Sequence, residues 1–279
     1  MPENPYLPHA AVVRDIAQET SGERAVRTFT VDFEDENVSS NFKYRPGQLA
    51  MISVFGRGES MISMTSSPTM SKSLQFAIMR YGRVTSVLHY LEIGEKIGVR
   101  GPYGNGFPVA DWKGKSLLFI GGGIGIAPLR SAYMYALDNR KDYGEISIFY
   151  GARSSQNIVF RKELESIAQS GKAKVELSID KPEDDWKGFV GFVPANVKRL
   201  SPTSDNTIAI ACGPVVMIKV AIDELLSLGF APERIFTTME NKMKCGIGKC
   251  GRCNIGSVLV CKKGPVFSYD QIQKMPRDF

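Results

Sequence analysis

The stretch SLLFIGGGIGIAPLR (116–130) decides the fold. It opens on a short apolar run, SLLFI, that reads as a buried strand bounded by turn residues. A glycine-rich loop follows, and a helix is expected from about Pro128. That succession makes a phosphate cradle. Gly121, Gly122, Gly123 and Gly125 let the backbone approach a ligand closely. The helix start offers unpaired N–H groups and the positive end of its dipole, and Pro128 suits a first helical turn. The spacing departs from the fingerprint of three spaced glycines, because Pro128 stands where the last one belongs. On its own the loop therefore also fits an ordinary turn.

Downstream the alternation continues. EISIFY (145–150), KVELSI (174–179), TIAIA (207–211) and RIFTTM (234–239) read as strands, while FRKELESIAQS (160–170) and VVMIKVAIDELLSLG (215–229) read as helices. Such βαβ order implies a parallel sheet with helices on both faces. ACGPVVM (211–217) again runs from strand to helix, so its loop is expected at the same C-terminal edge of the sheet, where open α/β sheets bind ligands. Cys212 in that loop reads equally as a small buried apolar residue. Upstream, RTFTVDF (27–33), YRPGQLAMISVF (44–55), SLQFAIMRYG (73–82) and KIGVRGPYGNGF (96–107) read as short strands with frequent turn signals, the pattern of a small antiparallel barrel. The expected organisation is a β barrel over 1–110, an α/β domain over 111–239 and a small tail over 240–279.

That tail carries CGIGKCGRCNIGSVLVC (245–261), with four of the five cysteines of the chain. No run of about 18 apolar residues is present, so no membrane span is expected. The N-terminal segment lacks a basic start followed by an apolar core, so no secretory signal is read and a cytoplasmic location is expected. A reducing compartment disfavours disulfides and points to metal or redox chemistry. Residues 242–279 hold eight of the 35 basic residues and two of the 29 acidic ones, which puts the whole excess of +6 in this tail. Such a patch suits a solvated surface, a nucleic-acid contact, a docking face or compensation for an anionic metal cluster. Of the two histidines, His9 lies in a terminal segment and His89 in SVLHYL, a short helix where a structural role is expected.

These pieces resemble the ferredoxin–NADP reductase superfamily. GIGIAP (123–128), GAR (151–153) and CGP (212–214) are similar to its nicotinamide-domain signatures, in order and spacing. ISMTSS (62–67) takes the place of its flavin-binding strand, and GRVTS (82–86) that of the loop receiving the flavin pyrophosphate. The tail pattern C-x4-C-x2-C-x7-C, followed by GPVF (264–267), narrows the resemblance to electron-transfer subunits. The gamma subunits of cytoplasmic nickel–iron hydrogenases and sulfhydrogenases share most with this chain: ENPYLP near the start, GRVTSVLHYLEIGEKIGVRGPYGNGFP (82–108) and MENKMKCGIGKCGRCNIG (239–256). The B subunit of anaerobic sulfite reductase and the electron-transfer subunit of dihydroorotate dehydrogenase are relatives.

The resemblance implies an antiparallel flavin-binding barrel, a Rossmann-like nicotinamide domain and a C-terminal iron–sulfur lobe. It implies FAD held by Ser63, Met64, Thr65, Arg80, Gly82, Arg83, Val84 and Thr85. NAD(P)H is implied at Gly121, Gly123, Gly125, Ala127, Pro128, Arg153, Gly213 and Pro214, with Cys212 at the reacting end. A 2Fe–2S cluster is implied on Cys245, Cys250, Cys253 and Cys261, since thiolate suits iron–sulfur centres. Gly246, Gly248 and Gly251 would let the loop wrap the cluster, and Lys244, Lys249 and Arg252 would soften its charge. Structural zinc is the competing reading of four cysteines, although the paired C-x2-C units usual for it are absent. One departure stands out. Where the superfamily carries Arg-x-Tyr-Ser/Thr, this chain has Ser60-Met61-Ile62-Ser63, so Arg80 or Arg83 would have to supply the positive charge at the flavin. GARSSQ (151–156) has Arg153 and no acid at the strand end, a composition able to meet a 2′-phosphate. The implied activity is a diaphorase relay between NAD(P)H, FAD and the cluster, serving the catalytic subunits of a hydrogenase-like or heterodisulfide-reductase-like complex, with no nucleic-acid partner. The alternatives are a dihydroorotate dehydrogenase electron-transfer subunit and a zinc-stabilised interaction module.

Overall fold

The computed structural model describes residues 4–70 and 72–276. Glu3, the first residue of ENPYLP, and Arg277 of the basic tail lie outside them. The chain forms two compact units. One comprises the chain up to Phe107 together with Met239–Val266, and the other comprises Pro108–Thr238 and Phe267–Met275. The cysteine-bearing segment thus folds with the barrel, and the last strand and helix of the chain fall mostly in the second unit.

The first unit contains β1 (His9–Gln18), β2 (Val26–Phe33), α1 (Glu36–Asn41), β3 (Leu49–Val54), β4 (Gly58–Ser63), β5 (Ser73–Met79), α2 (Arg83–Leu88) and β6 (Lys96–Tyr103). Its six strands run in the order β4-β3-β6-β1-β2-β5, with every pairing antiparallel. The chain leaving β4 reaches across to β5, where the Thr65 N–H donates to the Gln75 carbonyl at 2.8 Å, and so curls the sheet into a barrel. Phe29, Phe76, Ile52, Val99 and Met64 fill it, and Leu88 plugs it from α2. β1 escapes a reading by alternation for a local reason. Its register shifts between Val13 and Asp15, so the core-facing residues are Ala11, Val13 and then Ile16, three positions on. A bulge of this kind breaks the period of two that marks a strand.

The second unit contains β7 (Ser116–Gly122), α3 (Ile126–Asp138), β8 (Ile146–Ala152), α4 (Arg161–Gln169), β9 (Lys174–Ile179), β10 (Phe189–Val190), α5 (Val193–Leu200), β11 (Thr207–Cys212), α6 (Val215–Ser227) and β12 (Ile235–Thr238). Strands β10-β9-β8-β7-β11-β12 are all parallel. Their near-continuous apolar sequence follows from burial on both faces. From β7 the order runs outward through β8 and β9, then returns to the other side of β7 with β11. The boundary between β7 and β11 is therefore the topological switch point.

After β12 come a short hairpin, β13 (Asn254–Ile255) with β14 (Val258–Leu259), then α7 (Val260–Lys263), β15 (Val266–Ser268) beside β12, and α8 (Tyr269–Gln273). The loop leaving β6 clamps the far end of the cysteine segment. Asn105 donates from its backbone to Gly264 O at 2.7 Å. Its side-chain Nδ2 donates to Lys263 O and Val266 O, and its Oδ1 accepts from Val266 N. Removing that side chain should cost about 1–3 kcal/mol, the range for stranding partly buried polar groups. Chemical unfolding of Asn105→Ala checks this, with an unchanged midpoint denying the clamp any weight.

Candidate functional site

The glycine loop leaves β7 and makes one short turn, Gly123–Gly125, before α3 begins at Ile126. The helix thus starts two residues earlier than expected, and Pro128 is its third residue, still within the first turn. In the sheet Cys212 pairs with Gly121, so the loops after β7 and β11 leave from neighbouring positions. They touch closely. A Cβ on Gly125 would lie 2.4 Å from the Cys212 carbonyl oxygen, and one on Gly122 would meet the Met217 side chain and Pro214. Gly125 has ordinary helical torsions (φ −61°, ψ −14°), so it is glycine for space and not for conformation. Gly213 and Pro214 then lead directly into α6. The structure thus brings Gly121, Gly123, Gly125, Ala127, Pro128, Cys212, Gly213 and Pro214 to one edge of one sheet. Cys212 itself is fully buried (0 %), with its Sγ 2.9 Å from the Thr238 hydroxyl. It is no exposed nucleophile.

Arg153 follows β8 at the same edge and is exposed. Two residues on, the backbone N–H of Ser155 donates to Glu183 at 3.0 Å. The Ser155 side chain and amide hold the Glu183 carboxyl below its usual range. An acid that sequence reading did not single out therefore occupies an amide beside Arg153. No local signal marks it, because Glu183 lies nearly 30 positions downstream.

In the barrel unit, α2 lies on β4: a Cβ on Gly58 would meet the Val84 methyl at 3.3 Å. The two segments assigned to flavin are thus adjacent. Ser63 ends β4. Met64 and Thr65 lie beyond the strand with their side chains buried, Met64 within the barrel core. Gly82 caps α2 in an extended conformation, Arg83 is its exposed first residue, and the Thr85 hydroxyl accepts from the N–H groups of Tyr81 and Gly82. Arg80 donates to the carbonyls of Glu23 and Gly22, which anchors it to the turn before β2. That leaves Arg83 as the more available of the two cations weighed from sequence. His89 is buried, and its Nε2 donates to Ile78 O at 2.8 Å. Burial lowers its pKa, so the ring is a neutral packing group.

The four cysteines of the tail fall into two pairs. The backbone N–H of Cys250 points to Cys245 Sγ, and that of Cys261 to Cys253 Sγ. Among the described residues, no three side chains of His, Cys, Asp or Glu gather as the ligands of one ion. A single tetrahedral zinc wants all four thiolates around one point, whereas a 2Fe–2S centre divides four cysteines over two irons. The pairing fits the second. N–H groups from Lys249 and Cys250 reach Cys245 Sγ at 3.3 and 3.4 Å, and that of Cys261 reaches Cys253 Sγ at 3.5 Å. Burial works to raise the Cys245 thiol, but the amides of Cys250, Ile247 and Lys249 outweigh it and bring it down to about 6. Burial and the neighbouring Cys253 push Cys261 up to about 11. Cys250 is exposed. Gly246 (φ +75°) makes the first turn of the loop with the Tyr103 ring against it, 2.9 Å from where a Cβ would be.

The stretches that carry both sites match known families. Residues 119–223 match the oxidoreductase NAD-binding domain family, and residues 240–273 match the iron–sulfur cluster binding domain of dihydroorotate dehydrogenase B. The chain is 40% identical to the sulfhydrogenase 1 subunit gamma of Pyrococcus furiosus, over 98% of this chain and 95% of that one. It is 33% identical to a probable dihydroorotate dehydrogenase B (NAD(+)) electron transfer subunit of Methanocaldococcus jannaschii, over 96% of this chain and 91% of that one. Among solved structures, an NADH-dependent reduced ferredoxin–NADP oxidoreductase shares the fold, with a TM-score of 0.73 and 21% identity over 98% of this chain and 93% of that one. The fold is that of the ferredoxin–NADP reductase superfamily. Within it, the chain belongs to the family that holds the sulfhydrogenase gamma subunits and the electron-transfer subunits of dihydroorotate dehydrogenase B.

Space at Gly125 is the testable feature of the nucleotide edge. Gly125→Ala should push the glycine loop off β11 and weaken NAD(H) binding about tenfold or more, since overpacking costs about 1–3 kcal/mol. Titration with NAD(H) measures it. Unaltered affinity would show that the loop contact does not shape the site.

Proposed function

We propose that the chain is the electron-transfer subunit of a multi-subunit redox complex, exchanging electrons between NAD(P)H and a partner catalytic subunit. The observation that carries this is the presence in one chain, along a full-length match to the sulfhydrogenase gamma subunits, of a switch-point nucleotide edge and a four-cysteine loop built on a flavin-type barrel. Bound FAD and a 2Fe–2S cluster would supply the conversion of a hydride into single electrons.

The residues of the chain bind, orient and shield. Gly121, Gly123 and Gly125, with Ala127 and Pro128 opening α3, take the pyrophosphate of the dinucleotide on backbone N–H groups. Gly213 and Pro214 border its nicotinamide end, and buried Cys212 fixes the level of that loop. Arg153 meets the phosphate side of the adenosine. Ser63, Met64 and Thr65 offer the flavin backbone groups at the end of β4, and Gly82, Arg83, Val84 and Thr85 take its pyrophosphate; Arg80 acts only by holding the neighbouring turn. Cys245, Cys250, Cys253 and Cys261 ligate the cluster. Hydride transfer needs no acid or base from the protein, which agrees with the structural role of His89. Among the described residues no helix is long and apolar enough to cross a membrane, and we place the complex in the cytoplasm.

The dihydroorotate dehydrogenase reading shares every residue role and differs only in the partner. The higher identity to the sulfhydrogenase subunits favours a hydrogenase-like or other hydrogen- or sulfur-metabolising partner. Anaerobic purification from the native source tests this. Hydrogenase-type subunits travelling with the chain support the reading, and a dihydroorotate dehydrogenase catalytic subunit overturns it.

Two substitutions test the roles. Cys250→Ser should remove the cluster absorbance and its iron while leaving flavin reduction by NAD(P)H within about twofold, because none of the residues assigned to nucleotide or flavin lies in the cysteine loop. Loss of flavin reduction with flavin still bound would contradict the sequence of carriers. Glu183→Gln removes a carboxylate from the Ser155 amide, so kcat/KM for NADPH should rise relative to NADH by about threefold, an effect that salt weakens. An unchanged ratio would take Glu183 out of cofactor choice.

A further inference from the structure

Arg100, on β6, is a charged side chain with 4 % of its surface exposed. All five of its N–H donors have partners. Nε donates to Glu59 Oε1 at 3.1 Å and Nη2 to Glu59 Oε2 at 2.9 Å. Nη1 donates to the Tyr103 hydroxyl at 2.8 Å. The two remaining N–H groups leave the barrel strands and reach the cysteine loop: Nη1 donates to Cys245 O at 2.8 Å and Nη2 to Lys244 O at 3.4 Å. The first thiol of the loop is thus tied by its own carbonyl to a buried guanidinium.

Of the pair only Arg100 is buried, and taking a charge out of water carries a cost that an apolar residue of the same size would not. Its neighbours on β6, Ile97 and Val99, belong to the apolar barrel core, so packing alone does not call for an arginine here. The geometry of the contacts explains the choice. Only a planar fork with five donors bridges a carboxylate, a phenol and two successive carbonyls at once. In a trans peptide the N–H lies opposite the C=O. Fixing the carbonyls of Lys244 and Cys245 on Arg100 therefore turns the N–H groups of Cys245 and Gly246 away from it and sets the orientation of the first turn of the loop. Tyr103, which Arg100 also holds, is the ring that packs on Gly246. Glu59 in turn lies on β4, the strand that ends at Ser63, and is held there by the Ser53 hydroxyl at 2.9 Å.

We propose that the Arg100–Glu59 pair positions Cys245 as a cluster ligand and sets the reduction potential of the cluster through its charge balance. The proposal rests on the electron-transfer reading and deepens it. Nearby net charge and hydrogen bonding tune iron–sulfur potentials. A neutral pair beside the loop exerts little net field. Removing Glu59 leaves a buried positive charge, removing Arg100 leaves an exposed negative one that water screens in part, and adding an electron to an anionic cluster responds to the sign.

The test uses the full chain, reconstituted anaerobically with iron and sulfide, and follows the cluster by redox titration and electron paramagnetic resonance. Arg100→Met strands the carboxylate and should lower the midpoint potential. Glu59→Gln strands the guanidinium and should raise it. Each should change the ratio of reduced to oxidised cluster at a fixed potential by about threefold or more, which is about 30 mV at 59 mV per tenfold. Arg100→Lys keeps the charge but loses the fork. Its potential should stay near that of the wild type while its iron is lost faster to a chelator. A purely structural pair predicts otherwise: both neutralising variants would shift the potential the same way, or not at all, and either result in a fully loaded chain overturns the proposal. Should Arg100→Met fail to hold iron, the sign of the shift in Glu59→Gln decides, since Glu59 is the more exposed partner and its loss the milder change. A wild-type chain that takes up no iron and sulfide sinks the electron-transfer reading, and this proposal with it.

Discussion

The grip of β6 on the cysteine segment is the constraint on which the rest of the first unit depends. A loop carrying four cysteines and four glycines within 245–261 has little hydrophobic content with which to order itself, and among the described residues it forms only a hairpin of two-residue strands and one helical turn. Its order comes from outside. Arg100 takes its entrance and Asn105, five residues further along the same strand and its exit loop, takes its end. Both contacts are to backbone carbonyls or amides, so they fix the path of the chain whatever its side chains do. A domain this small is below the size at which a core alone stabilises a fold, and metal binding commonly supplies the remainder. The barrel shares that task here.

The second unit solves a different problem, close approach. Two parallel strands that are neighbours at a switch point send their chains in opposite directions, which opens a crevice at their C-terminal ends. Placing a phosphate there requires that nothing project from either loop. Gly122 and Gly125 meet this on one side, and the Cys212–Gly213 peptide forms the other. The thiol of Cys212 is turned into the sheet against Thr238. At Gly125 the two loops therefore meet backbone to backbone, while Gly122 packs against the Met217 side chain and Pro214.

Much of this was legible because it is local. The strand, glycine loop and helix of 116–130 lie together in the sequence, and the periodicity of KVELSI and TIAIA survives as β9 and β11 with almost unchanged limits. What stayed hidden is what the fold joins from afar. β1 lost its alternation to a bulge, and α5 has only eight residues with a proline in its first turn, so its apolar stripe of Val193, Val197 and Leu200 spans barely two turns. The charged groups were the least legible. Arg80 looked free for a phosphate, yet its guanidinium is spent on the turn at Gly22. Arg100 looked like an ordinary strand residue in KIGVRGPYG, yet it is the buried one. Nothing in a sequence says which of two arginines faces a carboxylate 41 residues away; that is decided by strand order.

The tail also shows why composition and function part company. Its basic excess invites a nucleic-acid or docking interpretation. Yet in the loop it is amides that reach the sulfurs: the N–H groups of Lys249 and Cys250 point to Cys245 Sγ and that of Cys261 to Cys253 Sγ. They draw Cys245 toward its thiolate form against the cost of burial, while Cys261, buried with less compensation, stays protonated. A thiol in each pair is thus set differently before any metal arrives. Metal binding must release the protons that remain, and more of that release falls on Cys261 than on Cys245.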